Sequence, residues 1–396
     1  MRIESITLKN FKSFRDVCMK DIPGFCVVIG ANGTGKTTLF DVFGFLQDCL
    51  TYNVKQALQR RGNFREVISR GCSEQDNIEI RLQFRMALFG VDRLVTYLVR
   101  IGLEQGAPVV RREYLRYKRA AYGSPFHFLD FRNGAGHAVT NEADFDKPET
   151  KLDREQQSVE PYVLAIKGLG QFERFKAASA FRRLIENWHV SDFHIQAARG
   201  SKDITGDYEH LSATGDNLQR VAYDIYEHKR ELFDRIVAAM QHRVPGIHKI
   251  KPKATEDGRL ILHFQDAAFD KPFMDRHVSD GTLKMFAYLV LLYDPAPHPL
   301  LCVEEPENQL YPELLWELAE EFRAYAKRGG QVFVSSHSPD FLNAAALEEV
   351  YWLVKEQGDT TIRRAQDDTQ LAAWMAEGDQ MGHLWRSGEF GKLGLT

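Results

Sequence analysis

The sequence predicts an α/β fold: a phosphate-loop core with a mixed sheet, an antiparallel β subdomain and an inserted helical lobe. Three observations predict it. The apolar run Phe25-Cys26-Val27-Val28-Ile29 meets the octet Gly30-Ala31-Asn32-Gly33-Thr34-Gly35-Lys36-Thr37, and a helical pattern opens at Thr38. Two later apolar runs, residues 300–303 and 331–334, flank a helical segment at 312–327. Between the first run and the later two lies a long block of helical periodicity. Strand–helix alternation around a phosphate loop defines an α/β core, and the interrupting block reads as an insertion into one composite domain.

Taken in order, Ile3, Ile6 and Leu8 mark a strand over residues 1–9, with 10–14 as a turn. The octet fits G-x-x-x-x-G-K-[ST], whose backbone N–H groups cradle phosphates at a helix N-terminus. Residues 30–38 are therefore candidate nucleotide-binding residues. Lys36 would reach the β/γ-phosphates, and Thr37 would hold Mg²⁺. Residues 77–84, 94–101 and 109–117 read as antiparallel strands with Gly90 and Gly106 near their turns. Arg111, Arg112, Arg116, Lys118 and Arg119 interleave with Tyr114 and Tyr117 there. That pattern suits either a phosphate-contacting face or a solvated sheet edge. Residues 132–160 are polar and read as a loop or insertion. Helical periodicity runs from 171 to 242, residues 249–264 form a hairpin turning at Asp257-Gly258, and helix returns over 281–293.

Composition sets outer bounds. The chain has 396 residues, 44% hydrophobic and 27% charged, which is ordinary for a globular protein of two or three domain-sized units. No run approaches a membrane span, and Met1-Arg2-Ile3-Glu4 does not open a signal peptide. The five cysteines lack any C-x-x-C, which argues against a zinc site or disulfide framework and for a reducing cytoplasm. With a net charge of −4, any nucleic-acid contact must be a local patch.

Further motifs would complete a nucleotide site. Leu300-Leu301-Cys302-Val303-Glu304-Glu305 is an apolar strand ending in two carboxylates. Nucleotide hydrolysis needs one acid to orient Mg²⁺ and another to polarise the attacking water. Glu304 is assigned to the metal and Glu305 to the water. Val332-Phe333-Val334-Ser335-Ser336-His337 ends a second strand in a histidine that can sense the γ-phosphate or hold the attacking water. Ser279 and Gly281, in Val278-Ser279-Asp280-Gly281-Thr282, offer a hydroxyl and N–H groups at a helix start. This segment is either a second anion site or an ordinary N-cap. One nucleotide does not need two anion sites from one chain, whereas a dimer does.

The order of these elements resembles the ABC-type ATPase heads of the RecF/SMC class. Met1-Arg2-Ile3-Glu4-Ser5-Ile6-Thr7-Leu8-Lys9-Asn10-Phe11-Lys12-Ser13-Phe14 is similar to that class's opening, 30–37 to its Walker A and 300–305 to its Walker B. Ser279-Asp280-Gly281-Thr282 falls at its signature motif, and His337 at its switch histidine. Gln171, in Gly168-Leu169-Gly170-Gln171-Phe172, resembles its Q-loop glutamine, a metal-side ligand. The resemblance implies a two-lobed head that closes head-to-tail as a dimer around two ATP molecules. Its segments would be 1–165 and 296–396 for the ATPase lobe and 166–295 for the helical lobe. Asp280 replaces the usual glycine, Glu304 the commoner Asp, and Tyr311 a frequent His before Pro312.

By this resemblance the chain is similar to small stand-alone RecF-like ATPases of phage-defence systems. They act on DNA or control a nuclease or toxin subunit. The alternative is an ATP-dependent oligomeric scaffold that sequesters a partner without DNA. The opening motif and the signature point away from a transporter motor.

Overall fold

The structure is a computed structural model describing residues 2–118, 124–142, 151–191, 193, 195–200, 202–203 and 210–390. Alternating burial makes Arg2–Phe11 a strand, β1, and the chain turns back at once as β2 (Phe14–Lys20). β3 (Phe25–Ile29) is buried at every position, as a strand covered on both faces must be. The phosphate-loop helix, Lys36–Thr51, follows it. β4 (Ile78–Leu88), β5 (Val91–Glu104) and β6 (Ala107–Tyr117) are the three expected antiparallel strands, longer than their apolar cores suggested.

The segment 132–160 is not a plain loop. β7 (Phe126–Arg132), β8 (Ala135–Val139) and β9 (Arg154–Ser158) extend the sheet there. They complete an eight-stranded antiparallel sheet in the order β2-β1-β4-β5-β6-β7-β8-β9. β9 is partly or fully exposed at every position. An outer strand wet on both faces carries no hydrophobic alternation to read.

The helical block contains Lys176–Glu186, Leu218–His228 and Arg230–Arg243, but also β10 (His189–Ser191) and β11 (Lys202–Asp203). β12 (Ile247–Ala254) and β13 (Arg259–Asp266) form the expected hairpin and carry β14 (Phe273–Met274). Helix Asp280–Leu292 is followed by β15 (Leu300–Glu304), helix Leu314–Lys327, β16 (Gln331–Ser336), β17 (Val350–Glu356) and β18 (Asp359–Arg364).

The core sheet runs β10-β15-β16-β3-β17-β18. Only the β17–β18 pair is antiparallel. β10 is an edge strand of this sheet, although it falls within the 166–295 stretch read as helical lobe. Register aligns Glu304 with Ser335, and Ser336 with Ile29. The carboxylate pair, the switch segment and the phosphate loop therefore leave the sheet at the same end, the carboxyl ends of its strands. The carboxyl ends of parallel strands are where α/β folds bind ligands.

Two apolar clusters support this end. One lies between the antiparallel sheet and the phosphate-loop helix. The other surrounds helix Asp280–Leu292, buried from Leu283 to Leu292. Among the described residues, no helix is long and apolar enough to cross a membrane.

Candidate nucleotide site

The phosphate loop is held from outside as well as from within. Gly35 has φ +99°, a left-handed conformation that a side chain would strain, and a Cβ there would lie 2.6 Å from Ser13 Oγ. Thr34 Oγ1 donates to Ala31 O at 2.8 Å, and Thr34 O accepts from Thr360 Oγ1 at 2.8 Å. Thr360 N donates in turn to Ser13 O at 2.8 Å. The turn after β1 and strand β18 thus buttress the octet. Lys36 is only 7% exposed, and its ammonium donates to Gly30 O at 2.7 Å and Ala31 O at 3.3 Å. Burial lowers its pKa, an effect opposed by the carboxylates of Glu305, Glu307 and Glu304.

The carboxylates stand where register places them. Thr37 Oγ1 donates to Glu304 Oε2 at 2.7 Å. These hard oxygen donors, a hydroxyl and a carboxylate, fit Mg²⁺. Glu305 has φ +43°, uncommon for a side-chain-bearing residue. Its carboxylate stands 3.2 Å from His337 Nδ1 and accepts from Asn308 Nδ2 at 3.0 Å. Glu307, not singled out from the sequence, accepts from Ser336 Oγ at 2.8 Å and from His337 N at 3.1 Å. It ties the loop after β15 to the end of β16. The acid spacing 304-305-307 was the available signal.

Thr37, Glu304 and Glu305 line a cleft of about 630 Å³ together with Gln196, Lys284 and Asn308. Gln171 is not among its lining residues. It is exposed and donates to Lys167 O at 3.3 Å. Gln196 follows β10, the neighbour of β15, and lines the cleft that Gln171 does not reach. With β10 hidden inside a helical pattern, no sequence signal pointed to it.

Ser279 does cap helix Asp280–Leu292, its Oγ accepting from Thr282 N at 3.2 Å. Ser279 and Gly281 line a different cleft of about 710 Å³, with Tyr311 and Leu314. Gln309 lines both clefts. The Asp280 carboxylate forms an ion pair with Arg199, which also donates to the carbonyls of Asp275 and Val278 at 2.8 Å each. The charge that breaks the usual signature is therefore countered within the chain.

The arginines of β6 are largely engaged. β6 is an interior strand, not a sheet edge. Arg112 pairs with Asp130 at 3.1 Å, and Arg111 with Glu104 at 3.4 Å. Arg112 and Arg116 lie over the Tyr114 ring at 5.0 Å and 5.2 Å. Lys118 is exposed, and Arg119 lies outside the described residues.

Comparison with known proteins agrees with this arrangement. A solved SMC head bound to the C-winged helix domain of ScpA matches with TM-score 0.55 at 14% identity, covering 92% of this chain and 98% of that one. Such a likeness speaks for the fold. The DNA replication and repair protein RecF of Paenarthrobacter aurescens (strain TC1) is 37% identical over 54 residues. That match spans 14% of this chain and 14% of the relative. A family model described as "AAA domain, putative AbiEii toxin, Type IV TA system" matches residues 25–343. The chain therefore belongs to that AAA-domain family, and its fold is like that of an SMC head.

Proposed function

We propose that this protein binds and hydrolyses ATP and dimerises head-to-tail around it, and that this closure controls a DNA-directed, nuclease or toxin effector in genome maintenance or anti-phage defence. One observation carries the reading. Ser279 and Gly281 line a cleft separate from the one that holds Thr37, Glu304 and Glu305. A chain with both halves of an anion site in different places completes a site only against a second copy.

Within each site the residues divide the work. Residues 30–38 offer backbone N–H groups to the phosphates, and Lys36 exchanges its loop carbonyls for phosphate oxygens. Thr37 and Glu304 would hold Mg²⁺, which supplies positive charge for the phosphate oxygens. Glu305 orients and polarises the attacking water, and His337 steadies the Glu305 carboxylate while facing the γ-phosphate. Gln196 replaces Gln171 as the glutamine of the metal side. Ser279 and Gly281 bind the partner's γ-phosphate, and Arg199 keeps Asp280 from repelling it. The DNA repair role in the RecF relative's name supports a DNA-directed output, the ScpA-bound SMC head supports a protein partner, and the toxin named in the family description supports a toxin system. The engaged β6 arginines favour a second reading, an ATP-locked scaffold indifferent to DNA.

Glu305→Gln tests the closure. It should bind ATP, turn over at least about 100-fold more slowly, and double its light-scattering mass in ATP. An unchanged mass would rule out closure around the nucleotide.

A further inference from the structure

Helix Asp280–Leu292 is buried and apolar from Leu283 onward, with one charged exception, Lys284. Packing alone would be served by Leu or Met. Burying an ammonium is costly unless it is hydrogen-bonded, so what Lys284 touches matters. Its Nζ donates to Asn308 O at 2.8 Å and to Glu305 O at 3.5 Å, and lies 5.6 Å from the centre of the Tyr288 ring. It also lines the cleft that contains Thr37, Glu304 and Glu305. Burial lowers its pKa to about 8, with the charges of Glu307 and Glu305 opposing the fall.

The segment it grips is the one that presents the water-activating carboxylate. Glu305 is held in a left-handed conformation at φ +43°, which persists only where the surroundings over-determine it. Glu305 N donates to Ser335 O at 2.9 Å, and Asn308 N to Glu305 O at 3.1 Å. Lys284 adds a cation to the carbonyl side of this turn. A second contact joins the same two elements. A Cβ on Gly281 would come within 2.5 Å of Gln309 O. The first turn of the helix therefore lies directly against the backbone of the turn after β15. Ser279, Gly281 and Lys284 sit on one rigid helix. Its tip faces one cleft and its Lys284 faces the other.

We infer that Lys284 is a positioning residue through which the nucleotide bound by one protomer's Ser279 and Gly281 sets the Glu305–Asn308 turn of that same protomer. This deepens the proposed function and rests on its head-to-tail closure. A partner nucleotide that pulls on the helix tip moves Lys284, and Lys284 moves the carbonyls of Glu305 and Asn308. The carboxylate then shifts relative to the water it must polarise. Each site would thus hydrolyse efficiently only when the other is filled.

The experiment compares wild type, Lys284→Met and Lys284→Arg in ATP turnover, binding of a fluorescent ATP analogue, and ATP-dependent mass in a Glu305→Gln background. Lys284→Met keeps length and apolar volume. It should lower kcat about 100-fold, the order expected for displacing a reacting group by about 1 Å, with analogue binding within twofold of wild type. Lys284→Met/Glu305→Gln should still double its mass in ATP. Lys284→Arg, which keeps the charge and the donors, should recover at least about a tenth of wild-type kcat. Wild-type turnover should rise with ATP at a Hill coefficient above 1, and the residual turnover of Lys284→Met should be hyperbolic. Lys284→Met turnover within twofold of wild type, equal losses in binding and kcat, or a wild-type Hill coefficient of 1 would each overturn the inference. Should Lys284→Met not fold, Lys284→Gln takes its place under the same criteria. Absence of turnover or of ATP-driven mass change in wild type and Glu305→Gln would instead overturn the function itself.

Discussion

At the scale of single residues, the site is assembled from groups that already satisfy one another. Lys36 donates to Gly30 and Ala31, Thr37 to Glu304, and His337 stands against Glu305. Nucleotide binding is thus an exchange of partners. Lys36→Ala should bind a fluorescent ATP analogue about 10- to 100-fold more weakly, the worth of a charge-assisted contact. Its melting temperature should stay within a few degrees of wild type, since Lys36 bonds only its own loop. Analogue binding equal to wild type would remove the phosphate-loop assignment. The residues legible in the sequence were those in contiguous motifs: the octet, the acid pair, His337 and Ser279. Gln196, Glu307, Lys284 and Arg199 were not, because their roles come from tertiary neighbours. The Ser13–Thr360–Thr34 chain joins positions hundreds of residues apart, and no local pattern encodes that.

At the scale of elements, two buried glutamates fasten helices to the antiparallel sheet. Glu113 on β6 accepts from the N–H groups of Ala165 at 2.5 Å and Ile166 at 3.1 Å, and from Tyr97 Oη at 3.0 Å. Glu142, just after β8, accepts from Ala177 N and from Tyr117 Oη, each at 3.2 Å. Burial raises both pKa values from 4.5 to about 7, despite these donors. In the unfolded chain both ionise near 4.5. Between that pH and about 7 only the unfolded state releases these protons, so stability falls as pH rises through the window and levels off above it. Each group contributes up to about 3 kcal/mol of this fall. The urea midpoint should be higher at pH 5 than at pH 8, and Glu113→Gln/Glu142→Gln should flatten that difference. An unaltered pH dependence in the double variant would show that other groups cause it. Element type followed the sequence where burial patterns were strong, as in β1, β3 to β6, β15 and helix Asp280–Leu292. It failed for β8, β9 and β10, which are short or polar and are made strands by their neighbours' hydrogen bonds.

At the scale of the whole molecule, salt dependence separates the proposed DNA-directed role from a DNA-indifferent scaffold. Three unpaired arginines on DNA would steepen the slope of log affinity against log salt by about 3 units. Here Arg112 is paired with Asp130 and Arg111 with Glu104. Charge reversal of Arg111, Arg112 and Arg116 should therefore flatten the slope by only about 1 unit, read by anisotropy of a labelled duplex across a salt series. Flattening by 2 to 3 units would mean that these pairs open onto DNA. No binding by wild type at low salt would favour the scaffold. The α/β class and the interruption of the core sheet were legible from motif order alone. The path of the interruption was not, since β10 returns to the core sheet before the chain leaves it again.

The order of strands in the core sheet has a consequence for how the protein is made. β3 emerges from the ribosome early, yet its neighbours are β16 and β17, which begin at Gln331 and Val350. At synthesis rates of roughly 5 to 20 residues per second, a strand buried at all its positions waits about 15 to 60 s for either partner. During that interval the phosphate loop has neither its flanking strands nor the Thr360 buttress. The nascent chain therefore carries its phosphate loop long before β17 and β18 have been translated to hold it.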